Sequence, residues 1–193
     1  MSEFPLQWID SRVRDYFAPW MDFGPAGMPI LKAMGSAAEP YMARQHFLFH
    51  TAVDALCFCH LHPQLLGRPG SNVFSVIGLL PTAVQLLALG SRYPNARTVG
   101  VFDDDLCGRV LDCKVALWLM RRDTAFRLDD GQVIFTHKAN RMCVPVPEFS
   151  LHRFRMLTGL RSTYRTVKPK GAVSFAALLA VKSVQHNHQI QTP

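Results

Sequence analysis

The chain alternates between short apolar runs and longer segments of helical spacing. That alternation restricts the architectures open to it more than any other feature. HFLFH (46–50), VFSVIG (73–78) and the start of RTVGVFDDD (97–105) read as strands. They are continuous apolar runs, the pattern of strands buried on both faces. TAVDALCFCHLHP (51–63), LPTAVQLLALGSRYP (80–94) and LCGRVLDCKVALWLMRRD (106–123) carry apolar residues at helical spacing. Pro63 stops the first of these helices, Pro81 suits the first helical position of the second, and Gly90 and Pro94 close it. Strands separated by helices of this length form βαβ units and a parallel sheet. The expected fold is α/β: a central parallel sheet of about four strands flanked by helices.

Residues 1–45 follow another rhythm. Pro5, Pro19, Pro25, Pro29 and Pro40, with Gly24, Gly27 and Gly35, punctuate them. Beyond a short helix over Trp8–Phe17 they are expected to form an irregular lead-in with room for a β-ribbon, packed on the domain or on a partner. After residue 123 the pattern loosens to a small α+β extension. FRLDDGQVIF (126–135) holds the hairpin pair Asp130-Gly131, and RMCVPV (141–146) is its partner. EFSLHRFRMLTG (148–159) reads as a helix ended by Gly159, and SFAALLAVKSV (174–184) as a last helix capped by Ser174. The tail HNHQIQTP is expected to fray. The segments are thus an irregular 1–45, a core over 46–123, and a basic C-terminal extension of the same domain over 124–193.

The 193 residues suffice for one domain with a real core, and 49% hydrophobic with 18% charged residues excludes a disordered chain. No apolar run reaches the roughly 20 uninterrupted residues that span a bilayer. The N-terminal MSEFPLQWIDSRVRDYF lacks a basic stretch followed by an apolar one, so neither a signal peptide nor a membrane partner is expected. Cys57, Cys59, Cys107, Cys113 and Cys143 form no regular framework and read as free thiols of a reducing cytoplasm. A net charge of +7 suits a polyanionic partner such as nucleic acid. The excess concentrates in 138–170, where Arg141, Arg153, Arg155, Arg161, Arg165, Lys168 and Lys170 face the single acid Glu148, interleaved with Phe149, Phe154 and Tyr164. Such a stretch suits a phosphate-facing surface, or simply a solvated basic face.

Sites in open parallel sheets form outside the carboxyl ends of the strands, and Asp103, Asp104 and Asp105 follow the third strand directly. Carboxylates at i and i+2 can converge on one hard cation, so Asp103 and Asp105 are the candidate ligands for Mg²⁺ or Mn²⁺. Asp104 between them is expected to face away. A solvated acidic turn without metal is the alternative. Arg109, on the first turn of the third helix, either meets phosphate or pairs with these aspartates. His50 ends the first strand as a candidate proton acceptor or hydrogen-bonded lining residue. Asp54, on the first turn of the next helix, is a carboxylate favoured by the helix dipole. Cys57, Cys59, His60 and His62 superficially resemble a metal cluster, but only Cys57 and His60 share a helix face, so no zinc site is expected. His186 and His188 belong to the tail.

The stretches HTAVDALCF (50–58) and VFDDDLCGR (101–109), in this strand and helix order, resemble the toprim domain of primases, topoisomerases and related nucleases. They look closest to the primase-like toprim proteins of plasmids and conjugative elements, which resemble bacterial DNA primases. The family pattern is Glu-Ser-x-Ile-Asp-Ala-Leu-Ser after the first strand and Phe-Asp-Asn-Asp-x-Ala-Gly after the third. The resemblance covers roughly residues 46 to 122 and implies a toprim-like, Rossmann-like sheet. It implies Mg²⁺ or Mn²⁺ on Asp103 and Asp105, with Asp54 supporting the loop. The family's glutamate, its general acid or base, falls on His50 here. A further position, often acidic in the family, is Leu106, and the zinc module that often precedes toprim in primases has no counterpart in these residues.

Three functions are compatible with this reading. One is a degenerate toprim-like accessory factor that binds nucleic acid, DNA above all, in replication or transfer of a mobile element. Another is an active Mg²⁺- or Mn²⁺-dependent nuclease or nucleotidyl transferase in which His50 and Asp54 do the catalytic work. The third is a protein-interaction scaffold that docks a partner through residues 4–29.

Overall fold

In the computed structural model, residues 6–23, 29–31, 39–67 and 70–190 are described. A 3₁₀ turn over Leu6–Trp8 leads into helix α1 (Ser11–Phe17), whose first turn is capped by Asp10 through the Arg12 N–H. Strands β1 (Met21–Phe23) and β2 (Pro29–Leu31) pair antiparallel as a ribbon. The N-terminal segment is more regular than its proline and glycine content suggests. Ile9, Val13 and Phe17 are buried in the main core beside Phe47, Phe74 and Leu56, while Trp8 stays exposed. Residues 4, 5 and 24–28 of the expected docking segment lie outside the described residues.

Strands β3 (Gln45–Phe49), β4 (Asn72–Val76) and β5 (Arg97–Val101) are joined by helices α2 (Ala52–Leu61) and α3 (Ala83–Arg92). Helix α4 (Leu106–Trp118) follows β5. The second helix starts later than proline placement suggests. Thr82 is its cap, accepting the Gln85 N–H at 3.2 Å, and Pro81 precedes the cap. A threonine hydroxyl satisfies an orphan N–H, which a proline ring cannot do. Helix α4 stops at Trp118 because the chain turns back through Arg121 in a left-handed conformation (φ 55°).

The extension adds an antiparallel meander of β6 (Phe126–Asp129), β7 (Gln132–His137) and β8 (Asn140–Pro145), then α5 (Leu151–Thr158). A two-residue strand, β9 (Arg165–Thr166), pairs parallel with β5. The last helix, α6 (Phe175–Ile190), begins behind the Ser174 hydroxyl, which accepts the Ala177 N–H at 3.0 Å. It continues into the tail expected to fray as far as Ile190, so the backbone of His186 and His188 is helical, and residues 191–193 lie outside the described residues.

The main sheet is fully parallel in the order β4-β3-β5-β9. This is an α/β fold with helices on both faces. Alternation along the strands divides the core in two. Phe47, Phe49, Phe74, Val99 and Val101 face α1, α2 and α6, while Leu48 and Phe102 join α3, α4, α5 and the meander. Phe149, Phe154 and Tyr164 are at most 1% exposed within this second core, so they offer no rings to nucleobases. Among the described residues, no helix is long and apolar enough to cross a membrane.

His46, on β3, is 2% exposed, with its Nε2 2.6 Å from the Ser75 hydroxyl and its ring edge-on to Tyr93. Burial pushes its pKa down from 6.5 to about 4. A lowered pKa means the unfolded chain takes up the proton first, so stability is complete above pH 6.5 and is lost as pH falls toward 4. Chemical unfolding at stepped pH is expected to show a loss on the order of 3 kcal/mol across that window from this group alone. His46→Gln is expected to flatten that part of the profile.

Candidate functional site

From β3 the chain crosses to β4 on one side, then returns to β5 on the other. Such a reversal opens a crevice at the carboxyl ends of the two diverging strands. Here those ends deliver His50 from β3 and Phe102-Asp103 from β5. The His50 imidazole stacks on the Phe102 ring with centroids 4.7 Å apart. Burial pushes its pKa below the usual histidine range, against the upward pull of Asp103 and Asp105, and Lys168 pushes it further down. The ring is therefore neutral at pH 7.

Asp54 enters the crevice from the first turn of α2. Thr51 caps that helix, accepting the Asp54 N–H at 3.2 Å and donating its hydroxyl to the Asp54 carboxylate at 2.6 Å. Burial raises the Asp54 pKa in spite of these bonds. Asp103 is also raised, by burial first and by the charge of Asp54 next, with Asp105 adding to it.

The three consecutive aspartates have separate jobs. Asp103 lies within the electrostatic reach of the buried Asp54 and of His50. Asp104 turns aside, its carboxylate accepting from Arg109 Nε at 2.9 Å and its N–H bonding Val173 at 2.7 Å. Asp105 caps α4, accepting the Gly108 N–H at 2.7 Å. Gly108 is required there: a Cβ would lie 2.1 Å from the Asp103 carbonyl oxygen. Arg109 thus pairs with an aspartate, the second of the two roles open to it.

Lys168 comes from the segment after β9. Its ammonium donates to the carbonyls of Asp103 (2.8 Å) and Phe102 (3.2 Å) and pairs with Asp112 Oδ2 at 2.7 Å. The Asp112 carboxylate is 2% exposed and also accepts the Tyr164 hydroxyl at 2.8 Å. Burial pushes its pKa up to about 6 against the opposing effect of Lys168 and Tyr164. Gly100 makes room for this pair, since a Cβ there would meet the Tyr164 hydroxyl at 1.7 Å. Asp112 and Tyr164 are not picked out by sequence motifs. The available signal was an acid among Leu111, Cys113 and Val115 on an apolar helix face, where an unpaired carboxylate is costly.

Mg²⁺ is commonly held by one or two carboxylates, with waters and substrate phosphates completing its shell. Asp103 fits that role, since a cation would relieve the negative charge crowded around it, and Asp105 keeps a second oxygen beyond the one in its cap. Among the described residues, no three His, Cys, Asp or Glu side chains are grouped to hold an ion unaided. Cys57 and Cys59 are buried free thiols, His60 accepts the Asp10 N–H at 2.9 Å, and His62 packs against Phe58.

The basic residues divide into two sets. Arg155 donates to the carbonyls of Ser162 and Tyr164, and Lys168 is engaged as described. Arg141, Arg153, Arg161, Arg165 and Lys170 are exposed. No family model, curated protein or solved structure matches the chain.

Removing Lys168 strands a buried carboxylate. Lys168→Met is expected to cost about 3–5 kcal/mol in chemical unfolding. Lys168→Met combined with Asp112→Asn is expected to recover much of that loss, and additive costs would show that the pair does not act as a unit.

Proposed function

We propose that the protein is a toprim-like nucleic-acid-binding factor whose strand-end crevice holds Mg²⁺ or Mn²⁺ through Asp103 and Asp105. It serves as an accessory in DNA replication or in the transfer of a mobile element. The observation that carries this reading is a connection. The segment that brings Lys168 to the crevice also presents Arg161, Arg165 and Lys170 to solvent, so the acidic crevice and a basic surface belong to one structural unit. Exposed guanidinium groups bind phosphodiesters through charge and counterion release, independent of sequence. A divalent cation at the crevice would bridge the carboxylates and a phosphate oxygen that they would otherwise repel.

His50 takes the place of the glutamate in the resembling family. A buried neutral imidazole accepts a proton but leaves the crevice with one negative charge fewer, which favours binding over phosphodiester chemistry in this reading.

Two measurements test it. Labelled single- and double-stranded DNA is expected to bind at low salt with an affinity that falls as salt rises. Replacing Arg141, Arg153, Arg161, Arg165 and Lys170 together by Gln is expected to weaken binding by at least about tenfold and to flatten the salt slope. Absence of binding to DNA and RNA at low salt sinks the reading. Calorimetric titration of Mn²⁺ is expected to find one site in the wild type and none in Asp103→Asn/Asp105→Asn, a variant that keeps the α4 cap because Asn caps as well as Asp. Equal heats in both proteins would remove the metal from the proposal.

A further inference from the structure

A second cleft, of about 290 Å³, lies away from the strand ends, between the end of α4, the β7–β8 turn and α5. Leu117, Phe154 and Leu160 give it an apolar wall, and Arg122, His137 and Lys138 give it polar groups. Its single lining carboxylate, Asp123, is paired with Lys114 at 2.6 Å. The cleft therefore carries an excess of positive charge.

Two further features of this cleft bear on what it could hold. The Nε2 atom of His137 is buried and, among the described residues, has no hydrogen-bond partner. Native proteins seldom leave a buried polar atom unpaired. The turn beside it is also strained. Lys138 and Ala139 are the central residues between the paired His137 and Asn140, and both have positive φ (48° and 66°). Such two-residue turns favour Asn-Gly or Asp-Gly. The neighbouring β6–β7 turn obeys that preference with Asp130 (φ 44°) and Gly131 (φ 69°). The meander thus holds one relaxed and one strained turn, and the strained one carries Lys138 to the cleft. Left-handed non-glycine residues persist where the conformation has a use.

We propose that this cleft binds a small organic anion, a phosphate or carboxylate head on an apolar body. Arg122 and Lys138 attract the head, Nε2 of His137 hydrogen-bonds it, and the body lies against the wall that Leu117 and Leu160 give the cleft. The volume is at the small end of ligand pockets, which suits a single-ring compound. Nothing in this assignment depends on the strand-end crevice or on nucleic acid.

Phenyl phosphate is the probe, titrated into the isotope-labelled full chain and followed by amide NMR. Saturable shifts at Thr136, His137, Lys138 and Leu160 in the millimolar range are expected. His137→Leu is expected to weaken binding by about tenfold. Lys138→Asn/Ala139→Gly is expected to raise the melting temperature and weaken binding together, because it relaxes the turn and removes a cation. If His137→Leu fails to fold, this turn variant carries the comparison alone. No saturable shift in the wild type overturns the proposal. So does an equal response to inorganic phosphate, which would mean that surface cations act without the apolar wall.

Discussion

The ion pair between Asp112 and Lys168 is the interaction on which the strand-end architecture depends. It joins residues 56 positions apart, one inside a helix on the sheet face and the other beyond the last strand. Neither charge is stable there alone. The carboxylate is buried, and the ammonium is held by that carboxylate together with two main-chain carbonyls at the end of β5. Through it the C-terminal segment, the β5 end and α4 take up a single arrangement. Tyr164 and Gly100 complete the fit, one as donor and the other as the space the donor occupies.

That arrangement also explains the acidic run. Three adjacent carboxylates would repel one another if all pointed into one crevice. Asp105 is drawn off by the start of α4 and Asp104 by Arg109, leaving Asp103 to share the interior with Asp54 and His50. The main-chain carbonyl of Asp103 meets the Lys168 ammonium, so a fixed positive charge stands beside the acids. The local field is set by groups of both signs rather than by the three aspartates alone.

The parallel sheet was legible because its three main strands are short, continuous apolar runs with helical segments between them, and burial on both faces leaves that mark on sequence. Strand β9 left no mark: two residues carry no periodicity, and Arg165 is exposed. The positions of His50, Asp54 and Asp103 at one crevice followed from their places at strand and helix ends. The partnership of Asp112 with Tyr164 and Lys168 did not, because it is set by tertiary packing between distant segments. The basic stretch was legible as charge, but not its division into structural and exposed members. Arg155 and Lys168 satisfy carbonyls that only the folded chain brings near, and the interleaved aromatics fill the core.

The short strand β9 has a consequence for the order in which the molecule is made. Until residues 165 and 166 leave the ribosome, β5 has one side without a neighbour, its Val99 and Gly100 lacking the parallel partner they have in the finished sheet. An apolar strand in that state is an open template for other chains. The nascent protein therefore passes through an interval, lasting from the synthesis of β5 to that of β9, in which the β5 edge beside the strand-end crevice is open along with the outer edge of β4. A chaperone acting on this chain during translation would find its substrate there.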